Sequence, residues 1–82
     1  MTEEQIQGLL DKISDRGAKA VSERAIESLY LEFNRLVRNF VWNSVSQEST
    51  LIEEVVQDTF MEVWKHPDRF RGESKFKTWL LG

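Results

Sequence analysis

Apolar residues recur every three or four positions along most of the chain, and this spacing constrains the fold more than any other feature. A helix with 3.6 residues per turn brings positions i, i+3, i+4 and i+7 to one face. A first helix, about residues 3–15, is predicted by four residues with this spacing: Ile6, Leu9, Leu10 and Ile13. No stretch alternates apolar and polar residues as a half-buried strand does. The sequence therefore predicts an all-α fold, a compact bundle of about four helices.

The second predicted helix is long, from about residue 18 or 22 to residue 45. Its apolar residues hold one stripe for more than four turns, as a helix that faces a core does. We expect all of them in the core: Ile26, Leu29, Tyr30, Phe33, Leu36, Val37, Phe40 and Val41.

Two further helices are predicted, over about residues 51–66 and from about Ser74 onward. Candidate capping boxes stand at Thr2 with Gln5 and at Thr50 with Glu53, because a Ser or Thr followed three residues later by Glu or Gln satisfies two free backbone donors. Ser74 is a favourable cap for the fourth helix. Pro67 is expected to help end the third, because the residue before a proline avoids helical geometry.

The chemistry-bearing residue types give little support for an enzyme. The chain has no cysteine, which excludes disulfides, thiolate nucleophiles and cysteine-bound metals. His66 is the sole histidine, and the four glycines are scattered rather than gathered into a phosphate-binding loop. Glu54, Asp58 and Glu62 share a helix face, but a Mg²⁺ site usually needs converging elements and substrate phosphates. We expect no catalytic residue, no cofactor and no metal.

Charge is distributed unevenly along the 82 residues. Residues 1–64 carry six Lys/Arg against twelve Asp/Glu, whereas residues 65–82 carry five against two. A basic end on an acidic body favours contact with a polyanion, although a solvated surface explains the same pattern. There is no signal-peptide pattern and no long apolar run, so a soluble, cytoplasmic protein without a membrane segment is expected.

Two segments of the C-terminal third are candidate binding surfaces. The polar face of the third helix joins carboxylates and Gln57 to the apolar Met61 and Trp64, and such a face can dock a basic helix. The alternative interpretation is that this face of the third helix is only solvated surface. Residues 68–79 interleave basic and aromatic residues around Gly72, as segments that hold single-stranded nucleic acid do. Here the alternative is that Phe70 and the aromatic residues after it are core.

Two stretches taken together resemble region 2 of the sigma-70 family of transcription initiation factors, and most closely its extracytoplasmic-function group. They are residues 54–64, EVVQDTFMEVW, and residues 68–80, DRFRGESKFKTWL. The resemblance is weaker over residues 26–41, and the first twenty residues lie outside it. A chain of 82 residues makes one domain at most, so we expect a single domain, 1–82, with an N-terminal helix at 1–20. The resemblance implies a region 2 core at 22–82. The apolar residues before Gly82 would pack against further chain, so we expect an N-terminal fragment of a longer protein, and the resemblance implies that this protein is a bacterial sigma factor.

The resemblance further implies two partners, RNA polymerase core and promoter DNA. The third helix would bind the clamp coiled coil of the polymerase β′ subunit through Glu54, Gln57, Asp58, Phe60 and Trp64. The segment after it would meet the melted non-template strand of the minus-ten element, a flipped base resting against loop backbone and an aromatic. The implied DNA-binding residues are Arg69, Phe70, Arg71, Gly72, Ser74, Lys75 and Lys77.

Other functions stay open at the level of the sequence. An interaction-only helical module would dock a regulator, such as an anti-sigma factor, without binding DNA. A DNA-binding helix-turn-helix fits less well, because the connection between the third and fourth helices is longer than the turn that motif uses. Exposure of Trp79, Leu80 and Leu81 would favour self-association.

Overall fold

Four α-helices lie within residues 1–15 and 17–82, the part of the chain that the computed structural model describes. They are α1 (Glu3–Ser14), α2 (Lys19–Ser44), α3 (Ser49–Lys65) and α4 (Phe76–Leu81), with one turn of 3₁₀ helix at Pro67–Arg69 between the last two. These described residues contain no strand. The all-α prediction is therefore confirmed, and none of the described helices is both long and apolar enough to cross a membrane.

The beginning of α1 has the predicted capping box. Thr2 Oγ1 accepts a hydrogen bond from the Gln5 N–H at 3.1 Å, and Gln5 Oε1 accepts one from the Thr2 N–H at 2.8 Å. Ile6, Leu10 and Ile13 are buried. The sequence therefore determines both the start of α1 and the face that it turns toward α2.

The core has two parts, which follow one another along the length of α2. The first joins α1, the N-terminal half of α2 and the segments on either side of the 70–76 connection: Ile6, Leu10, Ile13, Ala25, Leu29, Val63, Phe70 and Phe76. The second joins the C-terminal half of α2 to α3: Val37, Val41, Ile52, Val56 and Phe60. Since α2 contributes to both parts, this helix of 26 residues is the central element of the bundle.

The predicted core stripe of α2 is right except at Phe40. Leu29, Val37 and Val41 are buried, but Phe40 is 40% exposed. The reason is the length of α1, which has 12 residues against 26 in α2 and contributes no residue to the second part of the core. At the C-terminal end of α2, one side of the stripe therefore has no described helix packed over it.

The beginning of α3 differs from the prediction. The helix starts at Ser49, its N-cap residue is Glu48, and no side chain caps it. The predicted box of Thr50 with Glu53 is wrong because Thr50 lies inside the first turn of the helix, and the Glu53 carboxylate binds the Arg38 guanidinium on α2. At the other end α3 stops at Lys65, just before Pro67, as predicted.

The beginning of α4 also differs. Ser74 was predicted to cap it, but the N-cap residue is Lys75 and the Ser74 hydroxyl donates instead to the Lys75 carbonyl at 3.3 Å. The first N–H of the helix, that of Phe76, donates to Glu3 Oε1 of α1 at 2.7 Å. A distant carboxylate therefore takes the role expected of the local serine.

Candidate functional site

The outward side of α3 is polar except for one exposed apolar residue, Met61. We call it the acidic face of α3, and its exposed members are Glu54, Gln57, Asp58, Met61 and Glu62. Met61 is 50% exposed although it is apolar. A row of carboxylates around an exposed Met side chain is suited to a partner that offers both positive charge and apolar surface.

A groove of about 440 Å³ runs beside this face, between α2 and α3. We call it the α2–α3 groove, and it is lined by Glu23, Ile26, Tyr30, Gln57, Phe60, Met61 and Trp64. Most of these side chains are apolar, so the groove can receive an apolar side chain beside the acidic face.

The five predicted polymerase-binding residues divide between these two surfaces. Glu54 and Asp58 lie on the acidic face alone, Gln57 belongs to both the face and the groove, and the half-buried Trp64 lines the groove. Phe60 is only 6% exposed, and its ring packs edge-on against Tyr30 with centroids 5.1 Å apart. It is a core residue whose remaining exposed surface forms the floor of the groove.

A hydrogen-bonded network beside the groove fixes α2 against α3. The Arg38 guanidinium binds both carboxylate oxygens of Glu53, donates to the Tyr30 hydroxyl at 3.0 Å, and donates from Nε to Asn34 Oδ1 at 3.3 Å. Hydrogen bonding by Glu53 raises the pKa of Arg38, and hydrogen bonding by Arg38 lowers the pKa of the Glu53 carboxyl. Sequence reasoning missed this network, because the two partners are 15 residues apart and lie on different helices.

The 70–76 connection is held at both ends by buried rings. Phe70 is 5% exposed and Phe76 is 0% exposed, with ring centroids 5.4 Å apart and planes at 87°. Between them the five residues 71–75 are all exposed. We call these five the strand loop, after the single DNA strand that the resemblance predicts they contact. Gly72 has a φ of +75°, a conformation that side chains bearing Cβ rarely adopt.

The predicted DNA-binding residues therefore have different positions. Arg71, Gly72, Ser74 and Lys75 belong to the strand loop, and Lys77 is exposed on the first turn of α4; Phe70 supports the loop from the core instead of presenting its ring to solvent. Arg69 binds Glu62 of the acidic face at 3.0 Å, with both side chains more than half exposed. This ion pair joins the two predicted surfaces, which are neighbours on the molecule.

The beginning of α1 also borders the strand loop, which the sequence did not predict. A cavity of about 340 Å³ is lined by Met1, Glu3, Glu32, Phe33, Lys75 and Lys77. The Glu3 carboxylate reaches from there to the Phe76 N–H. No spacing rule could have found this contact, since the two residues are 73 positions apart.

The described side chains form no candidate metal site. Residues 1–15 and 17–82 contain no group of three or more Asp, Glu or His side chains arranged to hold a metal ion. The carboxylates of the acidic face point outward in a row, which suits a charged macromolecular partner better than a small cation.

Comparison with known proteins gives the family. The model of the Sigma-70 region 2 family matches residues 29–82, which is more than half of the chain. The chain belongs to the sigma-70 region 2 family. The acidic face of α3 and the strand loop lie inside the matched residues, whereas α1 and the groove residues Glu23 and Ile26 lie outside them.

Membership of this family has direct consequences for function. Sigma-70 region 2 is a domain of transcription initiation factors, and it is not a known catalytic family. The resemblance of the two sequence stretches to this family is confirmed. No match was found among curated proteins or among solved structures.

Proposed function

We propose that this chain is the domain of a bacterial, cytoplasmic sigma factor of the extracytoplasmic-function group that joins RNA polymerase to the minus-ten promoter element. In this proposal α3 binds the clamp coiled coil of the β′ subunit, and residues 69–77 contact the melted non-template strand. The observation that carries it is the family match over residues 29–82, within which an acidic helix face and a basic loop are exposed side by side.

The protein-binding half is supported by the chemistry of the acidic face and the α2–α3 groove. Glu54 and Asp58 would set the orientation and the rate of docking of a basic coiled coil. The apolar centre would come from Met61 and from the groove, where a side chain of the partner could be fully desolvated. The Arg38–Glu53 pair joins α2 to α3, the two helices that line the groove.

The DNA-binding half is supported by exposure and charge. Arg71, Lys75 and Lys77 are exposed cations that can reach phosphates, which fix the position of a strand without reading its sequence. Gly72 has no side chain, so loop backbone can approach the edge of an unstacked base. Arg69 starts from an ion pair with Glu62 and would hold a phosphate only by sharing or leaving that pair.

The protein-binding half is tested by replacing one carboxylate of the acidic face. Two single variants are used, Asp58→Asn and Gln57→Ala. Each should weaken binding to a purified β′ clamp coiled coil by about 1–3 kcal/mol, because a polar or charged group of the partner is left unpaired. Fluorescence anisotropy measures the affinity. Glu4→Gln removes the same charge from α1 and is the matched control. Equal affinities for the Asp58 and Glu4 variants would show that the assigned face is wrong.

The DNA-binding half is tested by the dependence of affinity on salt. Each phosphate contact on a single strand contributes about −0.7 to the slope of log K against log salt concentration. Lys75→Ala should make the slope for fluorescent single-stranded promoter DNA shallower by about that amount. Lys19→Ala removes an exposed lysine at the far end of α2 and should leave the slope unchanged. A slope that the Lys75 change does not alter would contradict the phosphate contact.

A second candidate function is an interaction module that docks a regulator such as an anti-sigma factor without binding DNA. The acidic face and the groove favour it, because the same surface suits any basic helix with an apolar anchor. Absence of salt-dependent binding to single-stranded DNA, together with intact protein docking, would favour this alternative. Self-association through the half-buried Trp79, Leu80 and Leu81 is a further proposal, and sedimentation of a monomer at high concentration would contradict it.

A further inference from the structure

Helix α1 lies outside the family match, yet it packs against the residues that hold the strand loop. Its three buried residues, Ile6, Leu10 and Ile13, share one core cluster with Phe70 and Phe76, the residues on either side of that loop. The loop itself is wholly exposed. Its conformation therefore depends on how firmly its two ends are fixed, and α1 is part of what fixes them.

One polar contact extends this dependence to a single side chain. The N–H groups in the first turn of a helix have no partner inside the helix. In α4 the N-cap residue Lys75 supplies none from its side chain, and Glu3 Oε1 accepts from the Phe76 N–H at 2.7 Å in a partly buried position. The carboxylate thus fixes the point where the strand loop becomes helix.

Glu3 is itself well held. It stands in the first turn of α1, between Thr2 and Gln5, the two residues of the capping box. Because the box fixes the backbone on both sides of Glu3, the carboxylate starts from a defined position when it accepts from the Phe76 N–H.

We propose that Glu3 is a positioning residue for single-stranded DNA, and that it holds the strand loop in its binding conformation by capping α4. The inference rests on the proposed DNA contact of that loop. A loop fixed in advance loses less conformational freedom on binding, so the cap raises affinity although Glu3 touches no DNA. Helix α1 then belongs to the DNA-binding side of the molecule rather than being a separate extension.

Charge alone predicts the opposite result, which makes the inference testable. Glu3 shares a cavity with Lys75 and Lys77, so its negative charge opposes the approach of phosphates. If charge were its only effect, removing it would tighten DNA binding. Glu3→Gln removes the charge but keeps an oxygen that can accept the Phe76 hydrogen bond, whereas Glu3→Ala removes both.

The experiment measures binding of a fluorescein-labelled single-stranded DNA of about twelve nucleotides to the 82-residue chain and its variants. Glu3→Ala should bind more weakly by about fivefold to tenfold, which is about 1–1.4 kcal/mol. Glu3→Gln should bind as tightly as the unchanged chain or more tightly. Glu4→Ala, the neighbouring exposed carboxylate on α1, should have no weakening effect and controls for net charge.

A second readout does not depend on DNA. Hydrogen exchange at the Phe76 amide, followed by NMR, should accelerate in Glu3→Ala and stay slow in Glu3→Gln. Clamp-peptide binding by Glu3→Ala should be unchanged, which excludes general unfolding as the cause of weaker DNA binding. Equal weakening by the Ala and Gln changes, tightening by both, or an unaltered Phe76 amide would each overturn the inference. An unchanged chain that binds no DNA would refute the DNA-binding proposal, and the amide measurement would still test the cap.

Discussion

Replacing Phe70 with alanine tests whether the aromatic residues of the C-terminal third are core or are binding surface. The side chain is 5% exposed, and its ring lies 5.4 Å from that of Phe76 and 5.5 Å from that of Trp79. A buried Phe replaced by Ala typically destabilises a protein by about 3–5 kcal/mol. The exposed strand loop that follows can relax toward the vacated space, so we expect the lower end, about 3 kcal/mol.

That loss is large for a chain of this size, and it is easily measured. A domain of this length typically has a stability of about 4–12 kcal/mol, and each kcal/mol lowers Tm by about 4–8 °C. Phe70→Ala should therefore lower Tm by about 12–24 °C, measured by far-ultraviolet circular dichroism, with urea unfolding giving the free energy. The matched control is Phe40→Ala, whose side chain is 40% exposed and should cost less than about 1 kcal/mol. Equal losses at the two positions, or a loss under about 1 kcal/mol at Phe70, would refute the assignment of Phe70 to the core.

Three other predictions follow from the contacts described. Arg38 lowers the pKa of the Glu53 carboxyl below its ordinary value of 4.5, so this pair stabilises the fold above about pH 4.5 and the stabilisation is lost as pH falls through the lowered pKa. Arg38→Ala should therefore make urea stability depend less on pH on the acid side, and an unchanged pH profile would contradict the pairing. Gly72→Ala places a Cβ in open space but at a φ of +75°, so it should cost about 1–2 kcal/mol of stability from backbone strain alone; a neutral or stabilising effect in urea unfolding would show that the turn is not held. The Arg69–Glu62 pair is more than half exposed on both sides, and a double-mutant cycle should assign it less than about 1 kcal/mol; a larger coupling would mean that the pair is structural.

What the sequence predicts well is set by local rules. The capping box of Thr2 with Gln5, the end of α3 before Pro67 and the buried face of α1 all depend on residues within one or two turns of each other. The outward orientation of Glu54 and Asp58 follows in the same way, because a helix that buries one side must expose the other.

What the sequence predicts poorly depends on contacts between distant segments. Thr50 does not begin α3 with a capping box, because the helix starts at Ser49, and Glu53 binds Arg38 on another helix. Ser74 does not cap α4, because the Glu3 carboxylate arrives from the far end of the chain. Phe40 fits the apolar stripe yet is exposed, since α1 is too short to cover it. In each case the local pattern is satisfied and a tertiary contact, or the lack of one, decides the outcome.

The candidate site shows the same division. The sequence identifies which residues of α3 and of the strand loop are polar and near each other along the chain. It could not say that Phe60 forms the floor of a groove or that Phe70 packs under the loop, because an aromatic residue between charged neighbours fits both core and surface. Burial separates the two roles, and the exposed neighbours are the residues to which we assign direct contacts in the proposed function.

The central claim is that the acidic face of α3 and the α2–α3 groove bind the polymerase clamp. The most direct test is to titrate the ¹⁵N-labelled chain with a purified β′ clamp coiled coil and to follow its amide signals by NMR. The account predicts that the largest shifts fall on Glu54, Gln57, Asp58 and Met61 and on the Trp64 indole, with α1 little changed. Shifts concentrated on α1 or on the exposed C-terminal end of α2, with α3 unaffected, would contradict it.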